Sequence, residues 1–224
     1  MSATDLTVEE IIEKFEAQTD DATELSTDEE LALFNRTLSK IYDDRPWEFL
    51  KREATGNFST ASKYLTLPTG FAYVLENAQS TDNAVEADFN GAQKVIYSYD
   101  GTANYTPRYQ FVNWSDRRTY AGRSGYAWVD LLNTRVELST LPIDNTAYSF
   151  DYKYQPTELI ITDVGSAILL PNHFRPMIWF AMAVDDDFLL RYPKEKSYAA
   201  ENNAKYESYM RDLASWNARL GLNN

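Results

Sequence analysis

The chain has 224 residues, 44% of them hydrophobic and 14% aromatic, and carries a net charge of −13 at pH 7. This length suits one domain or about one and a half, and the aromatic content excludes disorder along the whole chain. The acidic balance argues against general nucleic-acid binding, and the absence of cysteine excludes disulfide scaffolds, cysteine-rich zinc sites and thiol nucleophiles.

Residues 1–50 predict two amphipathic helices. A capping box at Thr7 opens the first helix, and apolar residues follow it at helical spacing. Ser26 or Thr27 caps the second helix after a polar break. Pro46 ends the second helix, because proline lacks an N–H group and restricts the residue before it.

Residues 51–156 predict a β-rich insertion, because the hydrophobic period changes to two. The pair Asp100-Gly101 marks a hairpin, and the polar stretch 77–93 is predicted as a long loop. The two short strands around Asn133-Thr134 are predicted to pair with each other. In the stretch 148–154 aromatic and polar residues alternate, which predicts an antiparallel strand with one face in solvent.

Residues 157–224 predict two more helices. The first follows Pro171 and continues to Tyr192-Pro193. In the second helix the seam side chains recur at alternating steps of three and four residues. This pattern is an a/d seam, which ordinarily packs within the chain's own core. The seam consists of Ala199, Asn202, Tyr206, Tyr209, Leu213, Trp216 and Leu220.

The predicted fold class is therefore α+β. The N- and C-terminal helix pairs are expected to form one helical bundle, with an antiparallel, barrel-like sheet inserted between them. The predicted boundaries are residues 1–50 for the N-terminal helices, 51–156 for the insertion and 157–224 for the helices that complete the bundle.

The start of the chain, MSATDLTVEE, lacks the basic and apolar regions of a signal peptide. No apolar run approaches the roughly 18 residues that a membrane-spanning helix needs. These observations predict a soluble protein that is made in the cytoplasm and has no membrane contact.

Charge is distributed unevenly along the chain. Residues 1–30 contain eleven acids and one base, a net charge of −10, whereas residues 105–135 contain five arginines and two aspartates, a net charge of +3. Arginines that alternate with aromatic residues can stack on nucleic-acid bases or pair with carboxylates of a neighbouring subunit. The chain's own acidic surplus favours the second interpretation.

Exposed aromatic, basic and apolar residues are candidates for a subunit or partner interface. Three arginines and two tryptophans come from the basic region. Three apolar residues come from the C-terminal helix and are expected to contact a partner near the end of the bundle. The candidates are Trp114, Arg117, Arg118, Arg123, Trp128, Trp216, Leu220 and Leu222.

No residue pattern indicates catalysis, a metal or a cofactor. The single histidine, His173, has no partners at the spacing of a triad or metal site. Neighbouring aspartates at 185–187 point in different directions on a helix and do not chelate one ion there, although a magnesium site in a loop is the alternative. The stretch 122–125, GRSG, is not a nucleophile elbow. A hydrolase that uses unassigned carboxylates is the alternative to a non-enzymatic protein.

Four segments, in this order, resemble the head-to-tail adaptor (connector or head completion) proteins of tailed bacteriophages. In that family a helix ends at a tryptophan-containing junction, a strand enters a Leu-Pro-x-x-Phe turn, and a Tyr-x-x-Pro-x-x-Leu segment precedes a second Leu-Pro-x-x-Phe at a helix start. The segments here are NRTLSKIYDDRPWEFL at 35–50, YLTLPTGF at 64–71, FDYKYQPTEL at 150–159 and LLPNHFRP at 169–176.

The resemblance implies a structural virion protein without enzymatic activity. Its expected place is the neck, where a ring of about twelve copies, closed by a head-to-tail interface, binds the portal and carries the next tail protein. Such a ring extends the channel used in DNA ejection, and an acidic wall lets packaged DNA pass without specific binding.

The resemblance also implies a role for Trp47, Phe49 and Leu50, which follow the second helix. They are expected to pack at the domain junction and lock the bundle to the β insertion. Two alternatives to the adaptor remain open. One is another neck or tail component, such as a stopper, tube or terminator protein, and the other is a β module that binds a glycan or host surface through exposed Trp114, Tyr120 and Trp128.

Overall fold

The computed structural model describes residues 6–19, 25–76, 94–99, 105–163 and 167–221. The fold class is α+β, as predicted. The chain divides into two compact units. The helical unit comprises Met1–Leu50 and Thr157–Asn224, and the β unit comprises Lys51–Pro156. The predicted loop at 77–93, the Asp100-Gly101 hairpin signal and Leu222 lie outside the described residues.

Two capping boxes begin the first helices of the helical unit, as the sequence predicted. The Thr7 backbone N–H donates to the Glu10 carboxylate at 2.8 Å, and the Ser26 backbone N–H donates to that of Glu29 at 2.9 Å. The helices of this unit are α1 (Val8–Glu16), α2 (Thr27–Asp43), α4 (Met177–Ala183), α5 (Asp186–Arg191) and α6 (Lys196–Gly221).

The helix predicted after Pro171 is two helices, α4 and α5. The chain leaves α4 at Val184, and Asp185 begins α5 by accepting hydrogen bonds from the backbone N–H groups of Asp187 and Phe188. An aspartate at an N-cap satisfies N–H groups that have no partner inside the helix. The apolar stripe continues across the break, which is why periodicity alone did not indicate it.

One hydrophobic core joins α1, α2, α4 and α6. Its members include the fully buried Phe15, Phe34 and Met177, and α4 contacts each of the other three helices. In α6, Asn202 and Leu213 of the predicted seam are buried, and the other seam residues are half-buried. The seam therefore packs within the chain, which is the ordinary role of such a stripe.

A glutamate pair lies between α1 and α2. Glu30 is 4% exposed, and its Oε1 has no hydrogen-bond partner among the described residues. Burial raises the pKa of Glu30 to about 7, with a hydrogen bond and the negative charge of Glu16 adding to the rise. The folded chain therefore favours a proton on this pair.

Replacing Glu30 by glutamine is expected to raise the free energy of unfolding at pH 8 by about 1–2 kcal/mol and to change it little at pH 5. A folded pKa above the unfolded value stabilises the fold below the unfolded pKa, and this contribution disappears as pH rises through about 7. Urea unfolding at both pH values measures the difference.

Glu29 is the matched control for this prediction. Hydrogen bonding to the Ser26 backbone, with Arg191 adding, lowers the pKa of Glu29 to about 2. Glu29→Gln is therefore expected to change stability in the opposite direction at pH 8. Equal effects of the two substitutions at pH 8 would contradict the assignment of the proton to Glu30.

The β unit is one curled, mixed sheet that forms a half-barrel. The strand order is β1-β8-β4-β5-β6-β7-β2, and β3 pairs with β8. A short helix, α3 (Arg117–Tyr120), lies between β5 and β6. The strands are β1 (Lys51–Asn57), β2 (Tyr64–Thr66), β3 (Phe71–Val74), β4 (Val95–Tyr99), β5 (Tyr105–Phe111), β6 (Tyr126–Asp130), β7 (Arg135–Leu138) and β8 (Ala147–Tyr154).

The prediction of a wholly antiparallel sheet was wrong, because β5 and β6 are parallel. Gln110 lies opposite Tyr126, and Phe111 lies opposite Ala127. Parallel neighbours need a crossover connection, and the segment that contains α3 provides it. The predicted pairing around Asn133-Thr134 is confirmed, since β6 and β7 are antiparallel across this turn.

Aromatic residues of β8 form the centre of the sheet's core. Tyr148, Phe150 and Tyr152 are buried there, as their alternation predicted. The prediction that the other face of β8 is in solvent was wrong, because Ser149 and Lys153 are also buried. The centroid of the Tyr73 ring, on the paired strand β3, lies 5.6 Å from the Lys153 Nζ, so a neighbouring side chain covers part of this face.

Candidate functional site

Four of the predicted interface residues lie in or beside α3, in the crossover between β5 and β6. A 3-10 turn at Trp114–Asp116 leads directly into α3, and both contact β6. The rings of Tyr120 and Tyr126 lie 4.4 Å apart between centroids, and the Gly122 N–H donates to the Ser139 carbonyl at 3.1 Å. These contacts hold the crossover against the sheet. We call Trp114, Arg117, Arg118, Tyr120 and Arg123 the α3 surface.

Arg117 and Trp114 form a fixed unit within the α3 surface. The Arg117 guanidinium lies 3.9 Å from the Trp114 ring centroid, and its Nη1 donates to the Trp114 carbonyl at 2.7 Å. This geometry is a cation–π contact. The guanidinium is therefore oriented before any partner arrives, and its remaining N–H groups, which bind no other described residue, can meet a planar acceptor.

The arginines of the α3 surface have no acidic partner among the residues that the structure describes. Arg118 and Arg123 are exposed, and neither they nor Arg117 form an ion pair with a carboxylate in the part of the chain that the structure describes. Arg123 instead lies 5.9 Å from the Tyr120 ring centroid. With Asp116 as the one acid of the segment 113–125, the local net charge is +2.

The other two arginines of the basic region are neutralised inside the β unit. Arg108 pairs with Asp144 at 3.3 Å, and Arg135 pairs with buried Asp130 at 3.2 Å. Hydrogen bonds from Asn133, with the charge of Arg135 adding, lower the pKa of Asp130 despite its burial. The positive charge of residues 105–135 is thus concentrated on the α3 surface.

Trp128 is buried and is not part of the α3 surface, so the prediction that it is exposed was wrong. It is 3% exposed and lies on the same face of β6 as Tyr126, against which α3 packs. Its Nε1 has no hydrogen-bond partner among the described residues. A signal for this placement was present in the sequence, since strand alternation separates Trp128 from its neighbours Ala127 and Val129.

The residues predicted to pack at the domain junction make their described contacts within the helical unit. Trp47 is fully buried, and its Nε1 donates to the Ile41 carbonyl at 2.7 Å. Phe49 stacks on Trp47 at 5.7 Å and lies 6.3 Å from Trp216. Leu50 is fully buried. These residues therefore connect the end of α2 to α6, and their role between the two units stays a prediction.

Trp216 is part of the same aromatic cluster. Its ring lies 5.9 Å from Phe174 and 6.1 Å from His173, and it is half-buried. Leu220 is half-buried as well. A partner at this end of α6 would reach only the outer edges of Trp216 and Leu220.

The three consecutive aspartates separate in the structure. Buried Asp185 accepts hydrogen bonds from Arg36 and, at 2.7 Å, from Lys40. Burial raises the pKa of Asp185, but the Lys40 hydrogen bond and the Arg36 charge outweigh burial, so the pKa lies below its usual range. Asp186 and Asp187 are exposed. Within the described ranges, no group of three histidine or acidic residues could hold a metal ion.

Two clefts lie in the helical unit. One, of about 230 Å³, lies between α2 and α5, and the other, of about 650 Å³, lies between the end of α2 and α6. Each cleft is lined by both acidic and basic residues, whereas the active site of a carboxylate-based hydrolase is expected to be a deep acidic pocket. The charged lining residues are Glu29, Arg36, Asp187 and Arg191 in the first, and Asp44, Arg45, Glu207 and Arg211 in the second.

The described helices include none that is long and apolar enough to span a membrane.

The geometry of the α3 surface, with oriented guanidinium groups and exposed aromatic edges, suits recognition of an acidic surface. No protein-family model matches this chain, and no curated protein matches it.

Proposed function

We propose that this protein is a structural virion protein, a head-to-tail adaptor of a tailed bacteriophage. It forms a ring of about twelve copies beneath the portal, closed by a head-to-tail interface. The ring extends the DNA channel and gives the next tail protein its platform. In this role the protein acts in the neck of the virion after synthesis in the host cytoplasm, without catalysis, cofactor or membrane contact.

The observation that carries this proposal is the position of the adaptor-like segments. The segment 35–50 ends where β1 begins, and the segment 150–159 starts in β8 and leaves the β unit. Strands β1 and β8 pair from Lys51 opposite Lys153 onward, so the chain enters and leaves the β unit side by side. An insertion with adjacent ends leaves a helical unit able to fold around it.

Packing in the helical unit supports the predicted bundle of N- and C-terminal helix pairs. Residues of α1 and α2 share one core with residues of α4 and α6. Glu48, just before β1, donates its backbone N–H to Asn217 of α6 at 2.7 Å. In the proposed ring, this bundle is held together by the Trp47 cluster, which comprises Trp47, Phe49, Phe174 and Trp216.

The charge of the chain fits a channel protein. Each copy carries −13, and like charge gives packaged DNA no phosphate contacts to hold it. Stopper, tube and terminator proteins are the nearest alternatives within the neck and tail. Those proteins tend to consist mainly of β structure, whereas this chain also has a large helical unit.

A glycan-binding or host-binding module is the second candidate, favoured by the exposed aromatic rings of the β unit. Trp114 is 39% exposed and Tyr64 is 42% exposed. However, a guanidinium already covers one face of each ring, Arg117 at 3.9 Å and Arg135 at 3.8 Å from the centroid. A sugar that stacks on an aromatic face needs that face free, so this candidate is the weaker one.

Light scattering of the purified protein, alone and mixed with portal rings of the same virus, tests the proposal. We expect a monomer or ring that joins the portal in a complex of fixed high mass. A protein that ignores the portal and never forms a ring would refute the adaptor function. Binding to a glycan array without binding to the portal would favour the second candidate.

A further inference from the structure

The α3 surface is a basic patch in an acidic protein. The segment 113–125 that contains it has a net charge of +2, although the whole chain has a net charge of −13. Arg117 is held in place by Trp114, while Arg118 and Arg123 have no carboxylate partner in the described part of the chain. Guanidinium groups match the planar geometry of carboxylates. The chemistry of this patch therefore fits an acidic protein surface.

The chain presents a matching acidic surface on α1. Glu9, Glu10 and Glu13 are exposed there, and neither Glu9 nor Glu13 forms an ion pair within the described ranges. Residues four apart lie on the same side of a helix. The surrounding residues 1–30 carry a net charge of −10. This region therefore holds most of the acidic excess of the whole chain.

We propose that the α3 surface of one copy binds the exposed glutamates of α1 in a second copy. The inference rests on the proposed ring and deepens it, because it names the two different patches that a head-to-tail interface requires. The patches belong to different units of the chain. Arg117 is already oriented, which reduces the ordering cost of binding.

Nucleic acid is the other polyanion that an arginine-rich surface could bind. The large net negative charge of the chain opposes it, because a protein gains affinity for nucleic acid by neutralising phosphates with a net basic surface. A neighbouring copy also carries −13, but −10 of that charge lies in residues 1–30, so the acidic region can meet the α3 surface locally. We therefore assign the α3 surface to contact between copies.

Reciprocal charge reversal tests this assignment. R118E/R123E leaves the Arg117–Trp114 unit intact, and E9R/E13R reverses the opposite patch. Each double variant is expected to raise the protein concentration needed for half-maximal ring assembly by at least about tenfold, because like charges then face each other. The chain that carries all four substitutions is expected to recover wild-type assembly. Light scattering with portal rings present measures the assembled mass.

The double variant R211E/R219E is the matched control, because it makes the same change in net charge on exposed arginines of α6. It is expected to assemble like wild type. Thermal melting by circular dichroism verifies that every variant is folded. Raising the salt to about 0.5 M is expected to weaken wild-type assembly, since screening shortens the range of surface charges.

Two results would overturn the inference: R118E/R123E assembles like the control, or the four-substitution chain assembles no better than either double variant. If R118E/R123E assembles like the control and also loses retention on single-stranded DNA, the surface is assigned to nucleic acid. In these cases the adaptor function still stands. A wild-type chain that neither forms a ring nor joins the portal refutes the adaptor function together with the inference.

Discussion

Replacing Trp47 by alanine is expected to lower the free energy of unfolding by about 3–5 kcal/mol. The indole is fully buried, stacks on Phe49 and donates a hydrogen bond to the Ile41 carbonyl. Alanine leaves a cavity that the ends of α2 and α6 can close only in part. In the proposed adaptor, ring assembly is expected to fall together with the melting temperature.

Trp114→Ala is the matched control for stability, since Trp114 is 39% exposed and surface substitutions usually change stability by less than about 0.5 kcal/mol. It is not a control for assembly, because Trp114 belongs to the α3 surface that is proposed to contact a second copy. Urea unfolding gives the free energies, and light scattering gives the assembled mass. If W47A unfolds at the same urea concentration as W114A, the Trp47 cluster does not hold the helical unit together. If a well-folded W47A protein assembles normally, the cluster has no part in ring geometry.

Replacing Asp185 by alanine is expected to lower the free energy of unfolding by about 2–3 kcal/mol. Two contributions are lost at once. Asp185 caps α5 through the N–H groups of Asp187 and Phe188, and its buried carboxylate joins α5 to Arg36 and Lys40 of α2. Hydrogen bonds to charged groups are worth more than neutral ones.

Asp185→Asn separates the two contributions, because asparagine keeps a capping oxygen but loses the charge. Its effect is expected to lie between those of wild type and D185A. Since the folded pKa of Asp185 is lowered, its contribution is present above the unfolded pKa and is lost as pH falls through the folded value. The gap between wild type and D185N is therefore expected to shrink on acidification.

Asp186→Ala, one residue further on, is the control for position, because Asp186 is exposed. Its effect on unfolding is expected to stay within about 0.5 kcal/mol. Chemical unfolding of the three variants across a pH series measures both predictions. A D186A effect as large as that of D185A, or a D185N gap that is independent of pH, would contradict the assigned role of the buried carboxylate.

Features that depend on neighbouring residues were predictable from the sequence. The capping box at Thr7 was predicted and is present, and the second cap, predicted at Ser26 or Thr27, is Ser26. Both were predictable because their hydrogen bonds join residues three apart. The β6–β7 pairing was also predicted, since only a short turn separates the strands. The break at Asp185 escaped prediction, because a helix can restart with its apolar stripe almost unbroken.

Features that depend on distant pairings were not predictable from periodicity. The parallel contact of β5 with β6 depends on how the crossover folds over the sheet. Strand alternation gives the face on which Trp128 lies but not what covers it, so its burial was not predictable. Burial of Lys153 likewise depends on the pairing of β8 with β3, which is far away in the chain and brings the Tyr73 ring against it.

The sequence by itself determined the α+β composition, the starts of α1 and α2, and the separation of an acidic first segment from a basic middle region. Only the tertiary structure decided which arginines stay unneutralised. Arg108 and Arg135 meet carboxylates within the β unit, whereas Arg118 and Arg123 are exposed on the crossover and meet no carboxylate of the described residues. Helix caps need hydrogen bonds only between residues a few positions apart, so the sequence shows them. The neutralisation of a charge requires another group within a few ångströms, and only the folded chain brings such groups together.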